Sequence, residues 1–193
     1  MLTLVRHPQV LLPKGICYGS ADVPLKPGWE SWADALSGYL SRVFPEGYSI
    51  WSSPLQRCQI PANYISQEPV QLRPDWQEIH FGDWEMKAWE DIPAGELNPW
   101  MEAFVHTNPP QGESFLELSD RVGASLDSLQ ESMTDRPVVL ITHAGPIRAA
   151  LCRVSSRPLA DAFSLPVDYG HLYQLSYRQG QWEIMKENVL PKA

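Results

Sequence analysis

The chain has 193 residues, 44% of them apolar and 20% charged, and a formal net charge of −8. That length and balance suit one domain with a sizeable core and exclude a low-complexity or collagen-like chain. The acidic surplus argues against a broad nucleic-acid face, which needs a basic patch, but leaves room for a small cationic pocket.

The first residues read Met-Leu-Thr-Leu-Val-Arg-His-Pro. The apolar run is too short for the hydrophobic part of a signal peptide. No stretch approaches the length of a membrane span, so neither a membrane nor a nucleic acid is expected as a partner. Cys17, Cys58 and Cys152 are odd in number and far apart. They read as free thiols in a reducing compartment, and a cytoplasmic protein is expected. No carboxylate cluster or Cys/His spacing demands a metal, and no cofactor is expected.

Leu2 to Val5 reads as a buried strand with Arg6 and His7 at its carboxyl end. Pro8 to Pro27 is loop, being rich in Pro and Gly. Trp29 to Val43 carries Trp32, Ala33, Leu36 and Leu40 at helical spacing. Tyr48 to Trp51 is a second strand. Ser53-Pro54 then reads as an N-cap with Pro at the first helical position, of a helix reaching about Ile65 unless Pro61 ends it early. Val70 to Leu72 is a third strand, and short helices are expected between Ile79 and Asn108. Ser114 to Met133 is an amphipathic helix through Phe115, Leu118, Val122, Leu126 and Leu129. Val138 to Thr142, continuously apolar, reads as a central parallel strand. His143-Ala144-Gly145 follows, with a helix over Pro146 to Arg153. His171 to Tyr177 and Trp182 to Met185 are strands joined at Gln179-Gly180 as a hairpin. Alternating strands and helices predict an α/β sheet with helices on both faces.

Two of these strands end in histidine. Ligands of parallel α/β sheets bind beyond the carboxyl ends of the strands. If the two strands are neighbours, His7 and His143 meet there with Arg6, and Arg57 reaches the same edge from the helix after the second strand. Two Arg and two His make a cup for a dianion, because the guanidinium fork matches phosphate oxygens. The helix N-terminus after His143 adds backbone donors. Taken singly, a His at a strand end is more often structural, and a lone Arg more often pairs at the surface. The weight lies in their coincidence.

At this point the residues resemble a known family. Leu-Val-Arg6-His7, Cys17-Tyr18-Gly19-Ser20, Ser52-Ser53-Pro54-Leu55-Gln56-Arg57, Glu78-Ile79-His80-Phe81-Gly82-Asp83-Trp84-Glu85, Gly112-Glu113-Ser114 and Thr142-His143-Ala144-Gly145 fall in order. Together they are similar to the histidine phosphatase, or phosphoglycerate mutase-like, superfamily, nearest to its small bacterial α-ribazole phosphatase branch. The resemblance implies a three-layer αβα sandwich with a mostly parallel central sheet. It implies one domain over residues 1–193, with an inserted cap-like segment around 84–112, working as a monomer or homodimer on a small phosphorylated metabolite.

It further implies that His7 is the nucleophile of a metal-independent phosphomonoesterase, and that Arg6, Arg57 and His143 hold the phosphate. Glu78 would be the proton donor and Ala144, Tyr18 and Ser114 would contact substrate. His143 is expected protonated, as a donor. Asp83 and Glu85 compete for the acid's role, with Glu85 expected to pair structurally. Ser114 reads equally well as a helix N-cap. Trp84, Trp89 and Trp100 read as core or lid packing, with a wall for a planar base as the alternative. Arg148 is expected to support the helix after His143. Pro8 departs from the family, which commonly has Gly there, so no backbone phosphate contact is carried over to it. A phosphoglycerate mutase and a non-catalytic phospho-ligand binder are the other functions. The chain lacks extra length to cover a mutase site, and a binder has no need of His7 with Glu78.

Overall fold

Two short apolar runs make the middle of the sheet. In the computed structural model, which describes residues 1–132 and 136–192, Leu2–Arg6 forms β1 and Val138–Thr142 forms β4. They pair in parallel from Leu2 opposite Val138 to Arg6 opposite Thr142. The other elements are α1 (Trp29–Val43), β2 (Ser49–Ser52), α2 (Gln56–Ile65), β3 (Gln71–Leu72), α3 (Ala94–Ala103), α4 (Phe115–Ser132), α5 (Ala144–Val154), β5 (Leu172–Arg178) and β6 (Gln181–Val189). Strand order is β3-β2-β4-β1-β5-β6. The β3–β2, β2–β4 and β4–β1 pairings are parallel, and β1–β5 and β5–β6 are antiparallel.

Side chains alternate across the sheet and build a core on each face. Val5, Ile50, Val139 and Ile141 pack with Leu36 and Leu40 of α1 and Cys58 and Ala62 of α2. Leu2, Leu4, Leu140 and Leu175 pack on the opposite face with Leu118, Val122 and Leu126 of α4 and Ile147 and Leu151 of α5. This is the expected three-layer sandwich. A third cluster, of Cys17, Trp84, Ile92 and Trp100, lies outside both. It is built from the loop after β1, the 3-10 turns Gly82–Trp84 and Trp89–Asp91, and α3.

Several boundaries differ from the sequence reading. Helix α2 begins at Gln56 with Leu55 as its cap, so Ser53 is not the N-cap. The Ser53 amide is bonded to the Ile141 carbonyl at 2.9 Å, which keeps it extended beyond β2. Pro61 does not end α2; the buried ring sits inside the helix, and only the Arg57 carbonyl loses its helical donor. Helix α5 starts two residues early, at Ala144, because Pro146 falls in the first turn, where no amide is needed. Strand β6 runs on to Val189 through polar residues of an exposed edge that apolar patterning overlooks. The hairpin turn holds Gln179 and Gly180 at φ 50° and 85°, as a tight two-residue connection requires. The 3-10 stretch Leu159–Ser164 was not anticipated. Met133, the predicted end of α4, lies outside the described residues.

Candidate active site

The ladder between β1 and β4 ends one residue before each histidine. The His7 amide still bonds the Thr142 carbonyl at 3.0 Å, so both imidazoles leave the sheet at one edge. Their ring centroids are 5.2 Å apart. His7 is 1% exposed, and His143 and Arg57 are 0% exposed.

Each ring has a defined tautomer. His7 Nδ1 lies 2.7 Å from the carbonyl oxygen of Pro8, so that nitrogen carries the proton and Nε2 keeps a free lone pair. Pro8 thus fixes the ring through its carbonyl, which proline retains. Arg57 Nε donates to His143 Nδ1 at 3.2 Å, and His143 Nε2 then donates to Ser53 Oγ at 2.7 Å. Burial above all, then Arg57 and Arg6, hold the His7 pKa well below the ordinary imidazole range. Burial, Arg57 and His7 do the same to His143. The expectation of a protonated His143 concerns the phosphate-bound site; in this structure its burial and its neighbours Arg57 and His7 all disfavour a charge on the ring.

The two guanidinium groups approach from different elements. Arg57, in the first turn of α2, donates to the carbonyls of Ala21 and Gly19 at 2.7 and 2.5 Å. Gly19 has φ +22°, and a Cβ there would sit 2.4 Å from the Ile79 carbonyl oxygen, so glycine is required where the loop closes on Arg57. Arg6 donates through Nη1 to the Val167 carbonyl at 2.6 Å and leaves its buried Nε without a partner. Its guanidinium lies on the Tyr169 ring, 3.6 Å from the centroid.

Glu78 enters on an extended segment tied to the core. Trp76 is fully buried, and its carbonyl accepts from Thr142 Oγ1 at 2.6 Å. Arg121 of α4 donates to the carbonyls of Asp75, Gln77 and Glu78. The Glu78 carboxylate accepts from its neighbour's amide, Ile79 N, at 3.0 Å and from Gly145 N at 3.1 Å. One of the helix-end donors anticipated for an anion is thus occupied by Glu78. Arg6, Glu78, Ala144 and Tyr18 line one cleft of about 360 Å³. Its walls include Phe81, Trp89, Phe115 and Phe163.

Other predicted residues are placed differently. Ser114 lies outside that lining. Its hydroxyl and amide both donate to Glu117 Oε2, while Glu117 N donates back to Ser114 Oγ, which is a capping box on α4. Glu85 accepts from Ser20 and from Phe81 N, a structural role as expected. Trp84 and Trp100 are core, and Trp89 alone of the three reaches the cleft. Among the described residues, no group of three or more His, Cys, Asp or Glu could hold a metal ion.

Sequence reasoning missed Tyr169 and the cleft-facing position of Arg148. Asp168-Tyr169-Gly170 carries only a turn signal, and nothing in it points across the sheet to β1. Ser53 stands where sequence predicts a helix cap, but its hydroxyl pairs with His143 instead. Arg148 Nε does bond the Leu165 carbonyl at 3.2 Å, yet the side chain also forms part of the cleft wall.

Residues 2–190 match the family model of the histidine phosphatase superfamily, branch 1. The chain is 28% identical to an adenosylcobalamin/alpha-ribazole phosphatase of Escherichia coli K12, over 88% of this chain and 86% of that protein. It is 26% identical to phosphoserine phosphatase 1 of Hydrogenobacter thermophilus, over 97% and 92% of the two chains. The crystal structure of the alpha-ribazole phosphatase from Shigella flexneri superposes with a TM-score of 0.89, at 26% identity, over 100% of this chain and 98% of that one.

Proposed function

The chain belongs to the histidine phosphatase superfamily, and on that footing we propose that it is a metal-independent phosphomonoesterase in which His7 carries the phosphoryl group. The observation that carries this reading is a buried His7 whose Nδ1 is tied to the Pro8 carbonyl, leaving Nε2 as the nitrogen to attack, beside Arg6, Arg57 and His143.

The proposed steps follow from those positions. The Nε2 lone pair attacks phosphorus in line, and the phosphorus–oxygen bond to the leaving group breaks. Glu78, carrying a proton at that moment, gives it to the departing oxygen. Nδ1 keeps its proton and its bond to Pro8, so the phosphorylated ring is cationic and a ready leaving group. Arg6 and Arg57 turn from their carbonyl acceptors to the non-bridging oxygens, where charge-assisted bonds are stronger. His143 donates to a non-bridging oxygen of the bound dianion, whose charge offsets the neighbouring cations that disfavour a protonated ring. Water then attacks the phosphohistidine while Glu78 accepts its proton, and inorganic phosphate leaves.

As substrate we propose α-ribazole 5′-phosphate, within cobalamin synthesis in the cytoplasm. The alpha-ribazole phosphatase relatives and the aromatic lining on the Glu78 side both support an alcohol leaving group that carries a planar aromatic base. The proposed unit is a single domain in which the segment around 84–112, with its Trp cluster, acts as a cap. It would work as a monomer or homodimer. The test is turnover of a panel of phosphomonoesters in EDTA, including α-ribazole 5′-phosphate, phosphoserine and 3-phosphoglycerate. Phosphate release with acid-labile phosphate on His7, both lost in His7→Ala, is expected. Turnover abolished by EDTA, or undiminished in His7→Ala, would overturn the reading. Isomerisation of 3-phosphoglycerate without release would point to a mutase instead.

A further inference from the structure

The segment before β5 carries no more than a turn signal, yet it packs over the candidate nucleophile. The Tyr169 ring lies 5.5 Å from the His7 ring, and the Tyr169 hydroxyl is 2.6 Å from that of Tyr18. The Tyr18 ring in turn lies 5.1 Å from the Arg57 guanidinium. The two phenols join loops 151 residues apart in the chain, one after β1 and one before β5. Two cavities flank them, the cleft of about 360 Å³ that holds Glu78 and a larger one of about 650 Å³. Ile16, Tyr18 and Tyr169 belong to the walls of both, and His7 to neither.

A phosphoryl group must come within about 3–3.5 Å of the attacking nitrogen. With His7 1% exposed, the opening above it is too small for a phosphoryl group and must widen. Gly170 N is bonded to the Arg6 and His7 carbonyls, which holds the base of the Tyr169 loop against β1. The Tyr18–Tyr169 hydroxyl pair has no comparable anchor. Below it, among the described residues, the Arg6 guanidinium is held by the Val167 carbonyl and by stacking on Tyr169.

We propose that Tyr169 is a positioning and access residue: its hydroxyl forms with Tyr18 a clasp that parts before phosphate reaches His7, and its ring holds Arg6 at the cup. The inference rests on the phosphatase reading of the same site. Ring and hydroxyl act in opposite directions, which makes them separable. Removing the hydroxyl bond leaves Arg6 stacked and lowers the cost of opening. Removing the ring frees Arg6.

The test uses the full chain with Tyr169→Phe, Tyr18→Phe, the double variant and Tyr169→Leu. Two readouts need no turnover: calorimetric affinity for inorganic phosphate, and the rate at which diethyl pyrocarbonate modifies His7, followed by peptide mass. Loss of one hydrogen bond predicts that either Phe variant speeds modification and tightens phosphate by roughly 2- to 10-fold. The double variant should gain no more than either single one, because all three lose the same bond. Tyr169→Leu should bind phosphate roughly 3-fold or more weakly than Tyr169→Phe, having lost the stacked ring. Additive effects, unchanged His7 reactivity, or weaker phosphate binding in the Phe variants would each overturn the clasp. If the wild-type chain binds phosphate and turns over while those patterns fail, only the clasp falls. If it neither binds phosphate nor turns over, the phosphatase reading falls with it.

Discussion

Gly145→Ala is the sharpest test of Glu78. Gly145 lies in the first turn of α5, and its φ is not positive, so an L-residue fits the backbone. A Cβ added there would sit 2.2 Å from Glu78 Oε1 and 3.3 Å from its carboxyl carbon. The next contact, Leu118 Cδ1 at 3.4 Å, is ordinary. The carboxylate must therefore retreat by about 1 Å, a displacement that in a reacting group costs about 10²-fold in rate. Stability should change little, since a helix-propensity gain of up to about 1 kcal/mol over glycine offsets the weakened amide bonds to Glu78. The assay compares two substrate classes by rapid quench. An alkyl phosphate needs its leaving oxygen protonated, and its first step should slow by about 10²-fold. With p-nitrophenyl phosphate the leaving group departs without a proton, so the first step should change little. The second step still needs a base for water, so phosphohistidine should accumulate. If both classes slow equally at the first step, or neither slows, Glu78 is not the proton donor.

Three further outcomes are expected. His7 and His143 have folded pKa values below the unfolded value near 6.5, so the unfolded chain binds protons the native one does not. Stability should be undiminished by these groups above pH 6.5 and fall below it, each histidine adding a slope approaching about 1.4 kcal/mol per pH unit. Urea unfolding across pH 5 to 8 should show this, with a smaller slope in His143→Gln. Arg121→Met removes the donor of three backbone carbonyls under Glu78; it should cost about 2 kcal/mol or more by urea unfolding and lower kcat more than KM. Pro8→Gly keeps the carbonyl that fixes the His7 tautomer, so kcat should stay close to wild type. The freer unfolded chain should cost about 0.4–1 kcal/mol.

The sequence alone carried the architecture and much of the cup. Short apolar runs marked β1 and β4, and side-chain periodicity marked α1 and α4, because burial of one face is written directly into spacing. His7 and His143 were legible as site candidates since each ends such a run, and Arg57 and Glu78 stood in segments that resemble a family. Tertiary structure decided what no local pattern encodes. Ser53 is claimed by His143 and not by the helix beside it, and Ser114 is held in its own capping box. Gly145 is small because Glu78 arrives from another layer, and Tyr169 meets Arg6 and Tyr18 because β5 pairs with β1. The hydrogen-bond partner of a buried polar group is set by whichever donor or acceptor the fold brings within about 3 Å, and such pairs are often distant in the chain. Periodicity reports which face of an element is covered; only the packed layers fix what covers it.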